Sequence, residues 1–363
     1  MTDLMTDKNI LIKVLKEPNL MTELSVLEWN VLLKEAKIAN LGGRLAADAS
    51  MLGFTKDLPL KGQNLFKSFS YQSASSERMI RWEMNRVRRA LKESNDKIIL
   101  LKGATYIAKN LNCAKGRISV DLDILVAKNR IDFAEELFLA AGWEHQVEND
   151  YDQKFYREYS HELPPMVHPD RQISIDVHHS ILPVTSRAYP DMKKLIDGAV
   201  PIEGGFYTFS NEDIILHSIV HQFQDGEVRS SLRNLLEQHD MLEEFGNDPE
   251  FWKRLVPRAL DLGFTRSLYY SLRYCKMIMG TKVPDAVFSE LNPHGPSGLT
   301  KWLMDFMVPG VISPTLGAKG LRRWFSMNGL YIRSHWLRMP PMLLAKHLTI
   351  KFFRRFKSDE QID

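Results

Sequence analysis

The chain has 363 residues, a formal net charge of +3 and two cysteines. This length is enough for two or three domain-sized units, and the small net charge neither requires nor excludes a nucleic-acid partner. Cys113 and Cys275 lie far apart in sequence, which argues against a disulfide framework and against a zinc cluster. The start of the chain lacks the pattern of a signal peptide and no apolar run is long enough to span a bilayer, so we expect a cytoplasmic protein.

Residues 1–95 are predicted to form an N-terminal helical region. Apolar residues recur at helical spacing over residues 24–40, and residues 76–91 have the pattern of a charged amphipathic helix. A loop that contains glycine and proline, near residues 54–62, separates the two helices.

A short apolar strand is predicted over residues 97–101, followed by Lys102-Gly103-Ala104 and then by a helical pattern over residues 105–111. The first amides of a helix lack an intrahelical partner and the helix dipole is positive there, so this arrangement favours anion binding. Gly103 would let a phosphate approach the backbone closely, and Lys102 would add a positive charge. The sequence therefore predicts a phosphate-binding corner.

Two carboxylates follow on the next predicted strand, residues 118–126. Side chains alternate between the faces of a strand, so Asp121 and Asp123 share one face while Val120, Leu122 and Ile124 are expected to point into a core. Two like charges on one face repel each other, and a divalent cation removes that repulsion by taking oxygen ligands from both. This pattern predicts a Mg²⁺ site, with Mn²⁺ as the alternative ion.

A third acid lies in an alternating strand at residues 171–179, where Asp176 and His178 share one face and His179 points the other way. Three carboxylates on two strands can hold two metal ions that align a nucleoside triphosphate and an attacking hydroxyl for in-line displacement. His178 is expected to orient Asp176 or to bond a metal-bound water.

These motifs resemble a known family, the uncharacterised nucleotidyltransferases of the DNA polymerase β-like superfamily. The resemblance covers most of residues 25–340, and the motifs that carry it are Lys102-Gly103-Ala104, Gly116-Arg117, Asp121-Leu122-Asp123-Ile124-Leu125-Val126, the helix end at 134–143, Ile175-Asp176-Val177-His178, the helical lead-in at 29–36 and the stretch 210–221. It implies a nucleotidyltransferase core with metal ligands at Asp121, Asp123 and Asp176, and it supplies no substrate.

One position departs from the pattern of the wider superfamily. The glycine corner there is usually Gly-Ser or Gly-Gly, and here it is Gly103-Ala104, so a serine hydroxyl toward the phosphates is missing. Lys102 and Thr105 are the two candidates to replace it. Arg117 and Lys128 flank the acid strand and are further candidates to contact triphosphate oxygens, because phosphate charge in such sites is offset by metal, Arg and Lys.

Residues that would contact the acceptor are expected on the later helices. His217 and His221 lie four residues apart on a predicted helix; packing or acceptor contact is favoured over metal binding, because Mg²⁺ prefers oxygen ligands. On the next helix, Arg229 or Arg233 would hold the acceptor and Asp240 would serve as an orienting carboxylate or base, although a surface network of ion pairs is equally consistent. The acceptor-side set is thus His178, His221, Arg229, Arg233 and Asp240.

The C-terminal segment has a different charge pattern. Residues 306–358 contain no Asp or Glu, while basic side chains (Lys319, Arg322, Arg323, Arg333, Arg338, Lys346, Lys351, Arg354, Arg355, Lys357) are interleaved with aromatic ones (Trp324, Phe325, Tyr331, Trp336, Phe352, Phe353, Phe356). One interpretation is a helix pair that covers the core and carries solvated cations. The other is an anionic partner, for which the amphipathic pattern favours a membrane surface over nucleic acid.

Together these patterns predict an α+β fold, in which a small mixed β-sheet nucleotidyltransferase core is flanked by N-terminal and C-terminal helical regions. The expected divisions are an N-terminal helical region (1–95), the nucleotidyltransferase core (96–185), a helical domain (186–300) and a basic aromatic segment (301–363). The expected activity is Mg²⁺-dependent transfer of a nucleoside monophosphate from an NTP to a hydroxyl or phosphate acceptor that is a small molecule, sugar or lipid-linked group. Two alternatives stay open: a toxin-like enzyme that modifies tRNA or protein, and an inactive nucleotide-binding module.

Overall fold

The chain folds around a mixed β-sheet of seven strands, and the computed structural model describes residues 9–147, 150–224, 231–312 and 320–345. The strands are β1 (Ile99–Leu100), β2 (Asp121–Leu125), β3 (Glu144–His145), β4 (Met166–Val167), β5 (Ser174–His178), β6 (Val200–Ile202) and β7 (Phe206–Thr208). Their order is β3-β4-β5-β2-β1-β7-β6, and β2 pairs in parallel with β5 and antiparallel with β1. The two strands that carry the predicted acids are therefore neighbours in the sheet.

Helices precede, interrupt and follow the sheet. Before it lie α1 (Ile10–Lys16), α2 (Val26–Ile38), α3 (Gly42–Met51) and α4 (Leu60–Ala90). Between strands lie α5 (Lys102–Ala108), α6 (Ile131–Ala140), α7 (Asp150–Tyr159) and α8 (Met192–Asp197). After it lie α9 (Asn211–Gln224), α10 (Ser231–Phe245), α11 (Pro249–Asp261), α12 (Thr265–Tyr274), α13 (Asp285–Leu291), α14 (Gly298–Ile312) and α15 (Leu321–Arg338). This composition confirms the predicted α+β class and its small mixed sheet.

The two faces of the sheet belong to different cores. Leu122 and Ile124 of β2 pack with Ile80 and Val87 of α4 in one buried cluster. On the opposite face, Leu125 joins a larger cluster that includes apolar residues of α9 and α10. Because side chains alternate along a strand, the acids of β2 lie on the face that α9 and α10 cover.

The structure corrects three predictions of local structure. Helix α4 begins at Leu60 rather than near residue 76, and its first half shows little apolar pattern because only Gly62 and Phe66 are buried before Ser76. Helix α5 begins at Lys102, so the Lys102-Gly103-Ala104 sequence is its first turn rather than a loop before it. Val120 does not point into a core: it precedes β2 and its side chain is 69% exposed.

Candidate active site

The three predicted metal-binding acids lie together on one face of the sheet. Strands β2 and β5 pair in parallel with Asp123 opposite Asp176, and Asp121 lies two residues before Asp123 on the same face. The intervening Leu122 and the neighbouring Ile175 are fully buried on the other face. Parallel pairing in this register is what brings acids that are 53 and 55 residues apart in sequence to one place.

Asp123 is held between a lysine and a histidine. Lys102 Nζ lies 3.0 Å from Asp123 Oδ1, and His178 Nε2 lies 3.0 Å from the same oxygen. Burial alone would raise the pKa of Asp123, but the charge of Lys102 and the hydrogen bond from His178 outweigh it and hold that pKa well below its usual range. His178 therefore contacts Asp123, whereas the sequence suggested Asp176 or a metal-bound water as its partner.

Lys102 reaches Asp123 from a left-handed backbone position. Its φ is 42°, a value that a residue with a side chain adopts only at some energetic cost. Such strain persists only where surrounding contacts enforce it, and it is concentrated at functional sites. At Lys102 those contacts include the ion pair with Asp123 at the start of α5.

The remaining two acids lack comparable compensation. Asp176 Oδ1 is buried and has no hydrogen-bond partner among the described residues. Burial, the negative charge of Asp123 and that of Glu162 raise the pKa of Asp176 to about 7. Burial and the charge of Asp123 also raise the pKa of Asp121, against the opposing effect of Lys102 and Arg117. A cation placed among these carboxylates would relieve the repulsion.

Arg117 is buried at the edge of this carboxylate group. Its Nε donates to Glu237 Oε1 at 2.9 Å, its Nη1 donates to Ser119 Oγ, and its guanidinium lies 5.8 Å from the ring centre of Tyr106. Burial opposes its charge, but the neighbouring carboxylate of Glu237 more than offsets this and raises the pKa of Arg117. Arg117 thus keeps its charge inside the site, beside Asp121.

Gly103 makes room for Arg117. A Cβ atom at residue 103 would overlap the Arg117 guanidinium and would lie 2.8 Å from Ser119 Oγ. The sequence pattern indicated that Gly103 allows close approach of a phosphate, and the structure shows an arginine and a serine at that position instead. The amides of Ala104 and Thr105 both donate to the carbonyl of Leu101.

The hydroxyl nearest this corner belongs to Ser119. Thr105, one of the two candidates to replace the missing serine, donates its hydroxyl to the carbonyl of Leu100. Ser119 is held by Ser76, whose Oγ donates to the Ser119 carbonyl at 2.7 Å and accepts from the Ser119 amide at 2.8 Å. A serine hydroxyl therefore does lie beside Gly103, but it belongs to Ser119, 16 residues later in the chain, and not to the residue that follows Gly103.

Most of these groups, including Asp121 and Asp123 but not Asp176, line a cleft between the sheet and helices α9 and α10. Its volume is about 320 Å³. The sheet side is formed by Lys102, Tyr106, Arg117, Ile118, Ser119, Val120, Asp121 and Asp123, and the helical side by Ser218, His221, Arg233, Asn234 and Glu237, with Asn40 at the rim. The cleft thus has carboxylates and fixed cations on one wall and mostly polar side chains on the other.

The acceptor-side candidates are placed in different surroundings. His221 and Arg233 line the cleft, and Arg233 Nε lies 3.6 Å from Glu237 Oε1. Asp240 instead forms an ion pair with Arg44, which also pairs with Asp48 at 2.9 Å. Arg229 lies outside the described residues.

Lys128 and His217, two further candidates, do not line the cleft. Lys128 is exposed beyond the C-terminal end of β2, whereas Asp121 is at its start. Burial and the charge of Lys128 lower the pKa of His179 to about 4. The prediction that His179 is packed is confirmed, because its side chain is buried. His217 is buried as well, and this burial lowers its pKa well below the ordinary value.

Sequence reasoning missed Ser119, Glu237 and Glu162. Ser119 lies in the turn just before the acid strand, but its relation to Gly103 depends on the fold. Glu237 is on α10, four residues after Arg233, and helical spacing predicts that neighbour. Its bond with Arg117, 120 residues away, has no local pattern in the sequence.

The sequence matches the profile of the uncharacterised nucleotidyltransferase family over residues 25–280. The chain belongs to this family. A crystal structure of a candidate nucleotidyltransferase from H. pylori is similar over 61% of this chain and 97% of its own, with 15% identity and a TM-score of 0.28, too low to add to the assignment. A comparison with curated proteins finds no significant match. The chain is therefore a nucleotidyltransferase by family, with its acceptor undefined.

The family implies an NTP substrate and a divalent metal ion, and the residues present fit such an ion. Carboxylate oxygens are the ligands that Mg²⁺ and Mn²⁺ prefer. Asp121, Asp123 and Asp176 supply them on one face, and the buried Oδ1 of Asp176 has no other described partner. Both described contacts of Asp123 use Oδ1.

We expect Gly103→Ala to weaken nucleotide binding without unfolding the protein. The added methyl must displace the Arg117 guanidinium from its place beside Ser119, and overpacking of this kind destabilises a protein by about 1–3 kcal/mol. The matched control is Gly298→Ala, where an added Cβ meets no atom within 4 Å. Thermal unfolding and NTP titration would be measured for both variants. Unchanged NTP affinity in Gly103→Ala would contradict a role for this corner.

Proposed function

We propose that this nucleotidyltransferase moves a nucleoside monophosphate from an NTP to a hydroxyl or phosphate acceptor, with Mg²⁺ or Mn²⁺ bound by Asp121, Asp123 and Asp176. The observation that carries the proposal is the in-register pair Asp123 and Asp176, with Asp121 beside it, on a sheet face that opens into a cleft. The cleft contains positive charge from Lys102 and from the buried Arg117. That combination suits a substrate with several negative charges and a reaction that builds more on its phosphates.

Each group has a role in this proposal. Bound metal supplies charge neutralisation at the α-phosphate and activation of the acceptor hydroxyl. Arg117 presents a buried guanidinium for phosphate oxygens, held in position by Glu237 and packed against Gly103. Lys102 pairs with Asp123 before substrate arrives, and its flexible ammonium can turn to the β and γ phosphates when metal occupies the carboxylates. His178 keeps Asp123 oriented.

The helical wall of the cleft is proposed to select the acceptor. His221, Arg233 and Asn234 face the carboxylates across a cleft of about 320 Å³. The same cleft must also hold the triphosphate, so the space left at the helical wall suits a small polar molecule or the head of a larger one. A small-molecule, sugar or lipid-linked acceptor is therefore favoured over a folded macromolecule that inserts one side chain. Modification of tRNA or protein is the alternative activity.

The test is thermal stabilisation by each of the four NTPs, ATP first, with and without Mg²⁺. We expect a metal-dependent rise in the unfolding midpoint with one NTP for the wild type and its absence in Asp121→Asn. Release of pyrophosphate with candidate acceptors would then be measured with that NTP. If no nucleotide stabilises the wild type in Mg²⁺ or Mn²⁺, the chain is not an active transferase as proposed and an inactive binding module replaces the proposal.

We also propose that helices α14 and α15 place the protein on an anionic membrane surface. Their outward faces expose Leu299, Trp302, Leu303, Phe306, Leu321, Trp324, Phe325, Met327, Tyr331, Ile332 and Trp336. Arginines lie among these side chains: Arg322 is 4.9 Å from the ring centre of Phe306, and Arg187 is 4.2 Å from that of Trp336. None of the described helices is both long and apolar enough to cross a membrane. Aromatic and basic groups on one face suit the interface of an anionic bilayer.

Vesicle binding tests this placement. We expect the wild type to sediment with vesicles that contain anionic lipid and not with neutral vesicles, and Trp324→Ser/Phe325→Ser to lose roughly tenfold or more in affinity. Tyr71→Ser removes an exposed aromatic side chain of α4 and serves as the control. Equal binding by the wild type and the double variant, or salt-sensitive binding to RNA with none to vesicles, would overturn the membrane proposal.

A further inference from the structure

A second group of potential metal ligands lies beside the three aspartates. It consists of His161, Glu162 and His178, and one ligand atom from each residue lies within 4.8 Å of the others. The imidazole rings of His161 and His178 have centroids 5.1 Å apart, and Glu162 Oε2 lies 3.4 Å from His178 Nδ1. This group contains two nitrogen ligands, in contrast to the all-oxygen group of the three aspartates.

The backbone fixes this arrangement. Residues 161–163 run antiparallel to the second half of β5, and Glu162 forms a bridge with His178. The amide of Leu163 donates to the carbonyl of Val177 at 2.9 Å, and the amide of His179 donates to the carbonyl of His161 at 2.8 Å. The positions of His161 and Glu162 against β5 are thus set by the sheet and not by the side chains alone.

His178 supplies the decisive observation. Its side chain is almost fully buried, with a residue exposure of 1%, and its Nε2 is 3.0 Å from Asp123 Oδ1, so Nε2 carries a proton. Nδ1 has no hydrogen-bond partner among the described residues, yet it faces a carboxylate oxygen of Glu162. In the neutral ring Nδ1 carries a lone pair, so His178 Nδ1 and the Glu162 carboxylate are placed to act as two ligands of one metal ion.

The spacing of the two atoms is that of two ligands of one ion. His178 Nδ1 and Glu162 Oε2 are 3.4 Å apart. Two ligands about 2.1 Å from a tetrahedral zinc ion are themselves about 3.4 Å apart. The observed spacing therefore fits a shared metal ion.

We propose that His161, Glu162 and His178 bind a transition-metal ion, Zn²⁺, separately from the Mg²⁺ or Mn²⁺ of the three aspartates. Two imidazoles and a carboxylate are ligands that Zn²⁺ accepts and Mg²⁺ does not favour. The bond from His178 Nε2 to Asp123 matches the usual arrangement in which a metal-binding histidine donates its other N–H to a carboxylate. The zinc ion would orient His178 and, through it, Asp123.

Zinc binding can be tested without any assumption about catalysis. Chelator-treated full-length protein would be titrated with Zn²⁺ by calorimetry in excess Mg²⁺. We expect one equivalent to bind the wild type, with affinity at least tenfold lower in His161→Gln and in Glu162→Gln. His294→Gln removes an exposed histidine elsewhere and should bind Zn²⁺ as the wild type does. Replacement of Zn²⁺ by Co²⁺ would give visible absorption of a tetrahedral site, lost in the same two variants.

Each outcome decides the proposal. Asp121→Asn should keep zinc binding, since Asp121 belongs to the other group; loss of zinc binding in that variant would place the ion among the aspartates and overturn the proposal. The proposal is equally overturned if the wild type binds no Zn²⁺ in excess Mg²⁺, or if both variants bind it as tightly as the wild type. A melting curve for each variant separates loss of the site from loss of the fold. Failure of NTP binding would leave this result unaffected, so the two proposals fail independently.

Discussion

Asp176→Asn should abolish nucleotidyl transfer while making the metal-free protein more stable above neutral pH. The loss of transfer, on the order of a thousand-fold, follows from removing a metal ligand that supplies several kcal/mol of charge stabilisation in the transition state. The gain in stability follows because burial and the negative charges of Asp123 and Glu162 penalise the ionised carboxylate of Asp176, and asparagine carries no charge. Neutralising such a group should recover about 1–3 kcal/mol.

The raised pKa of Asp176 determines how the stability of the protein changes with pH. The folded pKa of Asp176 is about 7, above the ordinary value of 3.8, so between these pH values the folded chain binds more protons than the unfolded chain. The contribution of Asp176 to stability is therefore present below about pH 4 and is lost as the pH rises through 7. Asparagine does not titrate, so the midpoint of Asp176→Asn should exceed that of the wild type at pH 8 and approach it at low pH.

Asp123→Asn should have the opposite effect on stability. Asp123 is paired with Lys102 and His178, each at 3.0 Å, so its neutral variant leaves those groups without their carboxylate and should lower the unfolding midpoint. Asp170→Asn, at an exposed position, serves as the control for the substitution itself. Thermal unfolding in chelator over a range of pH and pyrophosphate release in Mg²⁺ are the two measurements. A lower midpoint for Asp176→Asn at pH 8, or retained transfer, would contradict the assignment.

The alternation of residues along each strand predicts which acids share a face of that strand. Alternation within residues 171–179 and 118–126 predicted that Asp176 and His178 share a face, as do Asp121 and Asp123, and the pairing of β2 with β5 then brings all three acids together. The α+β class followed from the same alternation of strand and helix patterns. Such predictions succeed because a two-residue or four-residue period is a property of the backbone itself.

Contacts between distant segments were not predictable in this way. The role of Gly103 was inferred from a local pattern, but what occupies the space beside it is the Arg117 side chain, which reaches there through its bond with Glu237. Glu162 likewise lies in no recognisable motif, and only the backbone bridge with His178 places it near the aspartates. Pairings across many residues depend on sheet order and helix packing, which a single sequence does not specify.

Arg117→Met should cost both stability and nucleotide binding, and the two losses can be separated. The side chains of Arg117 and Glu237 are both mostly buried, so removing the guanidinium leaves a buried carboxylate with only Arg233, at 3.6 Å, as its partner. Breaking a buried ion pair in this way destabilises a protein by up to about 3–5 kcal/mol. Lys253→Met is the control: it breaks an ion pair with Glu250, but both side chains are more than half exposed and the midpoint should barely change.

Adding Glu237→Gln to Arg117→Met separates the two roles. The double variant no longer buries a carboxylate that has lost its closest cation, so part of the lost stability should return, as a double-mutant cycle of unfolding midpoints would show. Stabilisation by NTP should not return, because the buried cation that faces Asp121 and the cleft is still missing. Wild-type NTP stabilisation in the double variant would mean that Arg117 only holds α10 against the sheet, and phosphate binding would then rest on Lys102.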